Sequence, residues 1–164
     1  MKTLAVLMVL ALLGTVGVFA GKALAAEPDK NMKTVIFPAG SQGTFKGPDA
    51  WFTGTVRVDM LFPDNKVASY GGAIVTFAPG ARTAWHAHPA GQRLIITEGV
   101  GWVQEWGGPA VEVKAGDSVW FPPGVKHWHG ASPDEGMQHI ALSGVENGKN
   151  SDWMEKVSDA QYHK

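Results

Sequence analysis

From Trp51 onward the chain is cut into short alternating runs by closely spaced turn signals, and no helical pattern separates them. Pro79-Gly80, Gly107-Gly108-Pro109, Ala115-Gly116-Asp117 and Pro122-Pro123-Gly124 are the principal breaks. Glycine supplies backbone conformations with positive φ and proline a fixed φ, so clusters of the two end strands. Between them, apolar–polar alternation predicts strands at about 54–60, 72–78, 82–88, 92–97, 99–106, 110–114, 118–121, 126–130 and 136–143. So many short strands without crossover helices argue against a βαβ fold and leave an all-β sandwich or barrel. The tail differs. Asp152-Trp153-Met154-Glu155 and Ser158-Asp159-Ala160-Gln161 both have capping-box spacing, which predicts one or two short terminal helices.

The N-terminus has another purpose. Lys2 precedes an apolar run from Thr3 to Ala20, and Ala23-Leu24-Ala25 is a small-x-small cleavage site. This pattern predicts a signal peptide over 1–25 and an exported protein, periplasmic or secreted. An uncleaved anchor is the alternative, because the run nearly suffices to cross a bilayer. Residues 26–47 form a polar leader whose short apolar run, Thr34-Val35-Ile36-Phe37, is a candidate edge strand or inter-subunit arm. Residues 48–164 then form one domain, within the usual size for a single core.

Composition removes several chemistries. With no Cys there are no disulfides, thiolate metal sites or Cys nucleophiles. The net charge is -1, and removal of Lys2 and Lys22 leaves 12 basic against 15 acidic residues, or -3. Neither value implies a nucleic-acid partner. After cleavage no membrane partner is implied, and a small molecule is the expected ligand.

His86-Ala87-His88 is the strongest chemical signal. Residues i and i+2 of a strand share a face, so two imidazoles point the same way. Gln92 follows the Pro89-Ala90-Gly91 turn, and His127 comes from a separate strand after Pro122-Pro123-Gly124. A barrel interior can bring all four together as nitrogen and oxygen ligands for one divalent ion. A lone His-x-His is also commonly plain polar surface. His139 lies on an alternating strand, on the face it shares with Met137, Ala141 and Ser143. It suits either a cavity or a polar barrel mouth. His129 shares the parity of His127 and is a second acid–base candidate or a surface residue. Val75 and Phe77 alternate on their strand and are candidates for an apolar pocket wall. Trp85, Trp102, Trp106, Trp120 and Trp128 read as core and interface packing, Arg82 and Arg93 as surface or interface residues, and His163 as tail.

The spacing carries a resemblance. Gly80, His86, His88, Gln92 and Gly99 form one pattern, and Gly116, Pro122, Gly124 and His127 a second. Together they resemble the two motifs of the cupin superfamily, with Gln92 where many cupins have Glu and Ala131 where the second motif ends in Asn. Asp49–Arg57, Pro79–His86, Val119-Trp120-Phe121, Lys126–Gly130 and Asp152–Glu155 extend the match. They resemble the small bacterial cupin hydroxynitrile lyases, which are manganese-dependent and (R)-selective for mandelonitrile and also carry Gln at the Gln92 position. The resemblance covers roughly 43–162. It implies a single cupin (jelly-roll) barrel with a short C-terminal helix, and a homodimer or homotetramer. It implies metal ligation by His86, His88, Gln92 and His127, with His139 as base and Thr83 as a hydroxyl beside the substrate. The implied metal is Mn2+, with Fe2+, Zn2+, Ni2+ and Co2+ as alternatives.

Three functions follow as alternatives. The first is reversible cleavage of an aromatic cyanohydrin to aldehyde and HCN. A histidine near its ordinary pKa would suit removal of the hydroxyl proton. A 2+ ion with no anionic ligand would suit the developing negative charge. The second is a dioxygenase using Fe or Mn with O2. The third is a non-enzymatic periplasmic protein that binds a metal or small molecule on the same scaffold.

Overall fold

The computed structural model describes residues 32–163. The expected signal peptide and cleavage site lie outside the described residues. The compact unit that carries every feature below is Val35–Lys164. It contains twelve strands in chain order: β1 Thr44–Lys46, β2 Phe52–Thr53, β3 Val56–Phe62, β4 Tyr70–Phe77, β5 Arg82–Thr83, β6 His86–Ala87, β7 Gln92–Glu105, β8 Val111–Lys114, β9 Ser118–Phe121, β10 His127–Ala131, β11 Met137–Gly144 and β12 Asp152–Trp153. One short helix, α1 Asp159–Tyr162, follows. Among the described residues no helix is long and apolar enough to cross a membrane.

The strands run β1-β3-β4-β11-β7-β10-β5-β2 through one curled, antiparallel sheet system. β7 holds the two halves together. Its first part pairs with β11 on one side and β9 on the other. Its second part pairs with β10 and β8. The sequence predicts two strands here, broken near Glu98, but the chain makes one continuous strand of 14 residues. Gly99 makes this possible. It sits at φ +71°, and a Cβ there would lie 1.9 Å from the carbonyl oxygen of Gly136, so the strand bends from one half to the other only through glycine. The bend coincides with a register shift against β11 between Gln138 and His139.

The period-2 patterns place the core. On β7, Gln92, Leu94 and Ile96 are buried, and Arg93, Ile95 and Thr97 are exposed. On β11, Met137, His139 and Ala141 are buried, as the alternation predicts. Val56, Val58, Val75, Phe77, Leu94, Ile96, Phe121 and Met137 meet in the main apolar cluster. β10 departs from alternation, because all five of its residues are buried. Its inner face carries His127 and His129. Its outer face carries Trp128, which packs with Trp85, Val157 and Tyr162 in a second cluster built by the C-terminal tail.

Four expectations need correction. The predicted strand 82–88 is two short pieces, β5 and β6, each laddered to β10. Asp152–Glu155 is not a helix start: Asp152 and Trp153 form β12 against β6, and the backbone groups of Trp85 bond to Met154 and Glu155. Only Ser158 caps a helix, with Gln161 closing the reciprocal box. Arg82 is buried rather than at the surface, held by the Val157 carbonyl and the Asp159 carboxylate. The run Thr34-Val35-Ile36-Phe37 forms no strand; the leader's edge strand is β1, which pairs with β3.

Candidate metal centre and cavity

Five elements deliver polar side chains to one end of the barrel interior. β5 brings Thr83, β6 and the turn after it bring His86 and His88, β7 opens with Gln92, β10 carries His127 and His129, and β11 carries His139. All seven are buried. The imidazoles crowd together: ring centroids are 4.3 Å apart for His86 and His127, 5.1 Å for His86 and His88, and 5.6 Å for His88 and His127.

Three of the rings are fixed by backbone carbonyls. His86 Nδ1 lies 3.0 Å from Ala84 O, His88 Nδ1 2.5 Å from Asn150 O, and His127 Nδ1 2.8 Å from Val125 O. A carbonyl only accepts, so each Nδ1 carries the proton and each Nε2 presents a lone pair. Gln92 is oriented the same way. Its Nε2 donates to Ser143 Oγ at 3.1 Å, which leaves Oε1 3.4 Å from His127 Nε2. His88 Nε2 is buried without a partner. A buried orphan acceptor beside other lone pairs is costly unless a cation takes them up. The donor set thus suits a divalent ion with nitrogen and oxygen preference.

The tightest trio of ring nitrogens among the described residues is His86, His127 and His129, all within 4.8 Å of one another, so a group of three histidines able to hold a metal is present. His129 differs from the carbonyl-fixed rings. Its Nδ1 faces His139 Nε2 at 3.3 Å, and its Nε2 has no partner. Its backbone N–H donates to Thr83 Oγ1 at 3.2 Å. Thr83, His129 and His139 therefore form a second polar group beside the first, with Phe77 packed against both imidazoles.

Burial governs the protonation of all five rings. It lowers His127 and His139 to about 3. It drives His86 and His129 well below the usual imidazole value, helped by neighbouring imidazoles, and lowers His88 as well. A near-neutral value for His139 is thus corrected: the ring is fully enclosed and stays neutral.

A cavity of about 320 Å³ opens onto this cluster. Thr83, His86, His88, Gln92, His129 and His139 form its polar end. Phe45, Trp51, Phe52, Val58, Met60, Val75 and Trp153 form much of its walls, and among the described residues no Asp, Glu, Lys or Arg lines it. Val75 is in the wall as its alternation suggests, whereas Phe77 lies behind the histidines. No periodicity or spacing singles out Trp51 and Trp153. They stack on each other at 5.3 Å and 7°, and Trp153 stacks on His86 at 4.6 Å. Phe45, from the leader, is equally invisible to pattern reading. The one available signal is that Trp51 and Trp153 sit in two of the segments that carry the family resemblance.

A model of the cupin domain matches residues 73–142, the segment that holds every histidine of the site. An (R)-mandelonitrile lyase from Granulicella tundricola is 57% identical over 125 residues, 76% of this chain and 95% of that protein. A crystal structure of a cupin-like protein from Thermotoga maritima is 45% identical, with a TM-score of 0.69 over 79% of this chain and 96% of the other. A cupin 2 conserved barrel domain protein from Rhodopseudomonas palustris shares the fold at 18% identity and a TM-score of 0.57, covering 68% of this chain and 76% of its own. A barrel of this topology, with its histidines on these strands and relatives this similar over nearly their whole length, belongs to the cupin family.

Proposed function

We propose that the protein is a metal-dependent cupin lyase that cleaves aromatic cyanohydrins reversibly to an aldehyde and HCN. The observation that carries this reading is the neutral His129–His139 pair beside Thr83, at the polar end of an apolar cavity without charged side chains. An uncharged aryl substrate fits such walls, whereas an ammonium group would be desolvated there without a partner. The 57% identity to an (R)-mandelonitrile lyase supports the same reaction class.

His86, His88, Gln92 and His127 would hold the ion, Mn2+ first, with Fe2+, Zn2+, Ni2+ and Co2+ as alternatives. When bound, the ion supplies a positive centre that stabilises developing negative charge. Thr83 Oγ1 holds the substrate hydroxyl by a hydrogen bond. His139 accepts the hydroxyl proton as the bond between the carbinol and nitrile carbons breaks and the C–O bond becomes a carbonyl. The same proton then passes to cyanide, giving HCN and restoring neutral His139. Burial suits the second half of this cycle, because an imidazolium in a dry site is a strong acid. His129, hydrogen-bonded to His139, orients it and shares its proton.

Metal content is expected at about one ion per chain. His86→Ala and His127→Ala should each reduce it strongly, measured by elemental analysis of purified protein. Undiminished content in the double variant would place the ion elsewhere. Gln92→Glu should retain the ion but slow mandelonitrile cleavage, because the carboxylate cancels one unit of site charge. At about 4 Å and an effective dielectric near 20, one charge is worth roughly 4 kcal/mol. Solvent and ligand rearrangement reduce that to about 1–3 kcal/mol, or roughly tenfold to a hundredfold in rate. The deciding experiment is cyanide release from mandelonitrile by metal-loaded protein, with dissolved O2 followed in the same vessel. Release without O2 uptake supports the lyase; O2 uptake on a phenolic or diketone substrate with no cyanide release would favour the dioxygenase; metal binding with neither activity would favour a binding protein. Export through residues 1–25, a leader at 26–47 and assembly as a homodimer or homotetramer belong to the same proposal.

A further inference from the structure

The chain from Asn150 to Tyr162 pairs with β6 as β12 and then packs against Trp85 and Trp128, and it touches the candidate ligands at two points. The Asn150 carbonyl accepts from His88 Nδ1 at 2.5 Å. The Trp153 indole lies over the His86 ring at 4.6 Å and 28°. Just beyond Trp153 the tail is laced to the residue that precedes His86: Met154 N donates to Trp85 O and Trp85 N to Glu155 O, each at 2.9 Å. Beyond them it is anchored. Arg82 donates to Val157 O at 3.1 Å and to Asp159 at 2.6 Å, and its guanidinium lies 4.5 Å over the Tyr162 ring. Tyr162 Oη donates to Ala131 O at 2.7 Å.

We propose that this tail is a clasp that sets the aim of His86 and His88 toward the ion, with Trp153 as its positioning residue and Arg82 as its anchor. The inference rests on the metal reading given above. The physical reason lies in what a single hydrogen bond can fix. The bond from His86 Nδ1 to Ala84 O selects the tautomer and pins one ring atom, but it leaves the ring free to tilt about that bond. A stacked indole defines the plane as well. His88 depends on the tail even more directly, because its only Nδ1 partner is a tail carbonyl. Groups that orient metal-binding histidines in this way typically change metal affinity by about tenfold to a hundredfold when removed.

The test is a Mn2+ titration of metal-free, full-length parent, Trp153→Leu, Trp153→Phe and Arg82→Gln, with melting temperatures taken on the same metal-free samples. Trp153→Leu should weaken Mn2+ binding about tenfold or more, and Trp153→Phe, which keeps an aromatic plane on His86, should stay within about threefold of the parent. The Mn2+ electron paramagnetic resonance line should broaden in the leucine variant and not in the phenylalanine one. Arg82→Gln, which loosens the anchor without touching either histidine, should weaken binding in the same direction. A merely structural tail would lower the melting temperature and leave affinity of the folded protein unchanged. Parent-like affinity in Trp153→Leu overturns the clasp; should that variant fail to fold, parent-like affinity in Arg82→Gln does so. A parent that binds no divalent ion overturns the metal reading and the clasp with it.

Discussion

Replacing His139 with leucine is expected to slow mandelonitrile cleavage by about a hundredfold to ten-thousandfold while metal content stays at the parent level. The ring sits on β11, outside the carbonyl-fixed set, and its Nδ1 is buried without a partner. Leucine fills most of the space against Phe77, so the loss reports proton transfer rather than a collapsed core. Cyanide or azide affinity should be unaltered, which separates this variant from Gln92→Glu. A rate within about threefold of the parent, on fully loaded protein, would remove His139 from the chemistry.

Acid should unfold the metal-free protein well above the pH at which carboxylates alone would do so. The folded state holds His127 and His139 neutral down to about 3, whereas an unfolded histidine takes up a proton near 6.5. Below about pH 6.5 the unfolded state therefore binds more protons, and stability present at neutral pH is lost progressively as pH falls toward about 3. Each group's slope approaches roughly 1.4 kcal/mol per pH unit below its unfolded pKa, so the pair loses about 4 kcal/mol between about pH 7 and 5. His86, His88 and His129 act in the same direction. Against a typical total of about 5–15 kcal/mol, this is a large fraction. Urea midpoints at about pH 7, 6 and 5 measure it. A bound divalent ion, which needs neutral imidazoles, should move the acid transition to lower pH. Midpoints that are flat over that range would mean the rings are solvated in solution.

Local pattern reveals most of the barrel and part of the site. His86 and His88 are legible because two-residue parity survives in even a very short strand, and Leu94 or Ala141 because alternation reports one buried face. Three features are hidden because their causes are not local. Trp153 carries a helix-start pattern, but pairing with β6 decides its conformation. Arg82 looks like a surface charge because its ionic partner is 77 residues away. The lowered pKa of His139 depends on complete enclosure, which spacing cannot report. The Gly99 break is visible, and its meaning is not: glycine here bends a strand instead of ending it.

That bent strand bears on how the molecule can be cut. β7 supplies hydrogen bonds to β8, β9, β10 and β11, so a nick near Gly99 would disrupt the element that four ladders share. The Gly107–Ala110 turn that follows leaves β7 whole and joins it only to the short β8. A cut there keeps the girder whole and the histidines on their original strands, which makes that turn the natural place for a split-protein reporter.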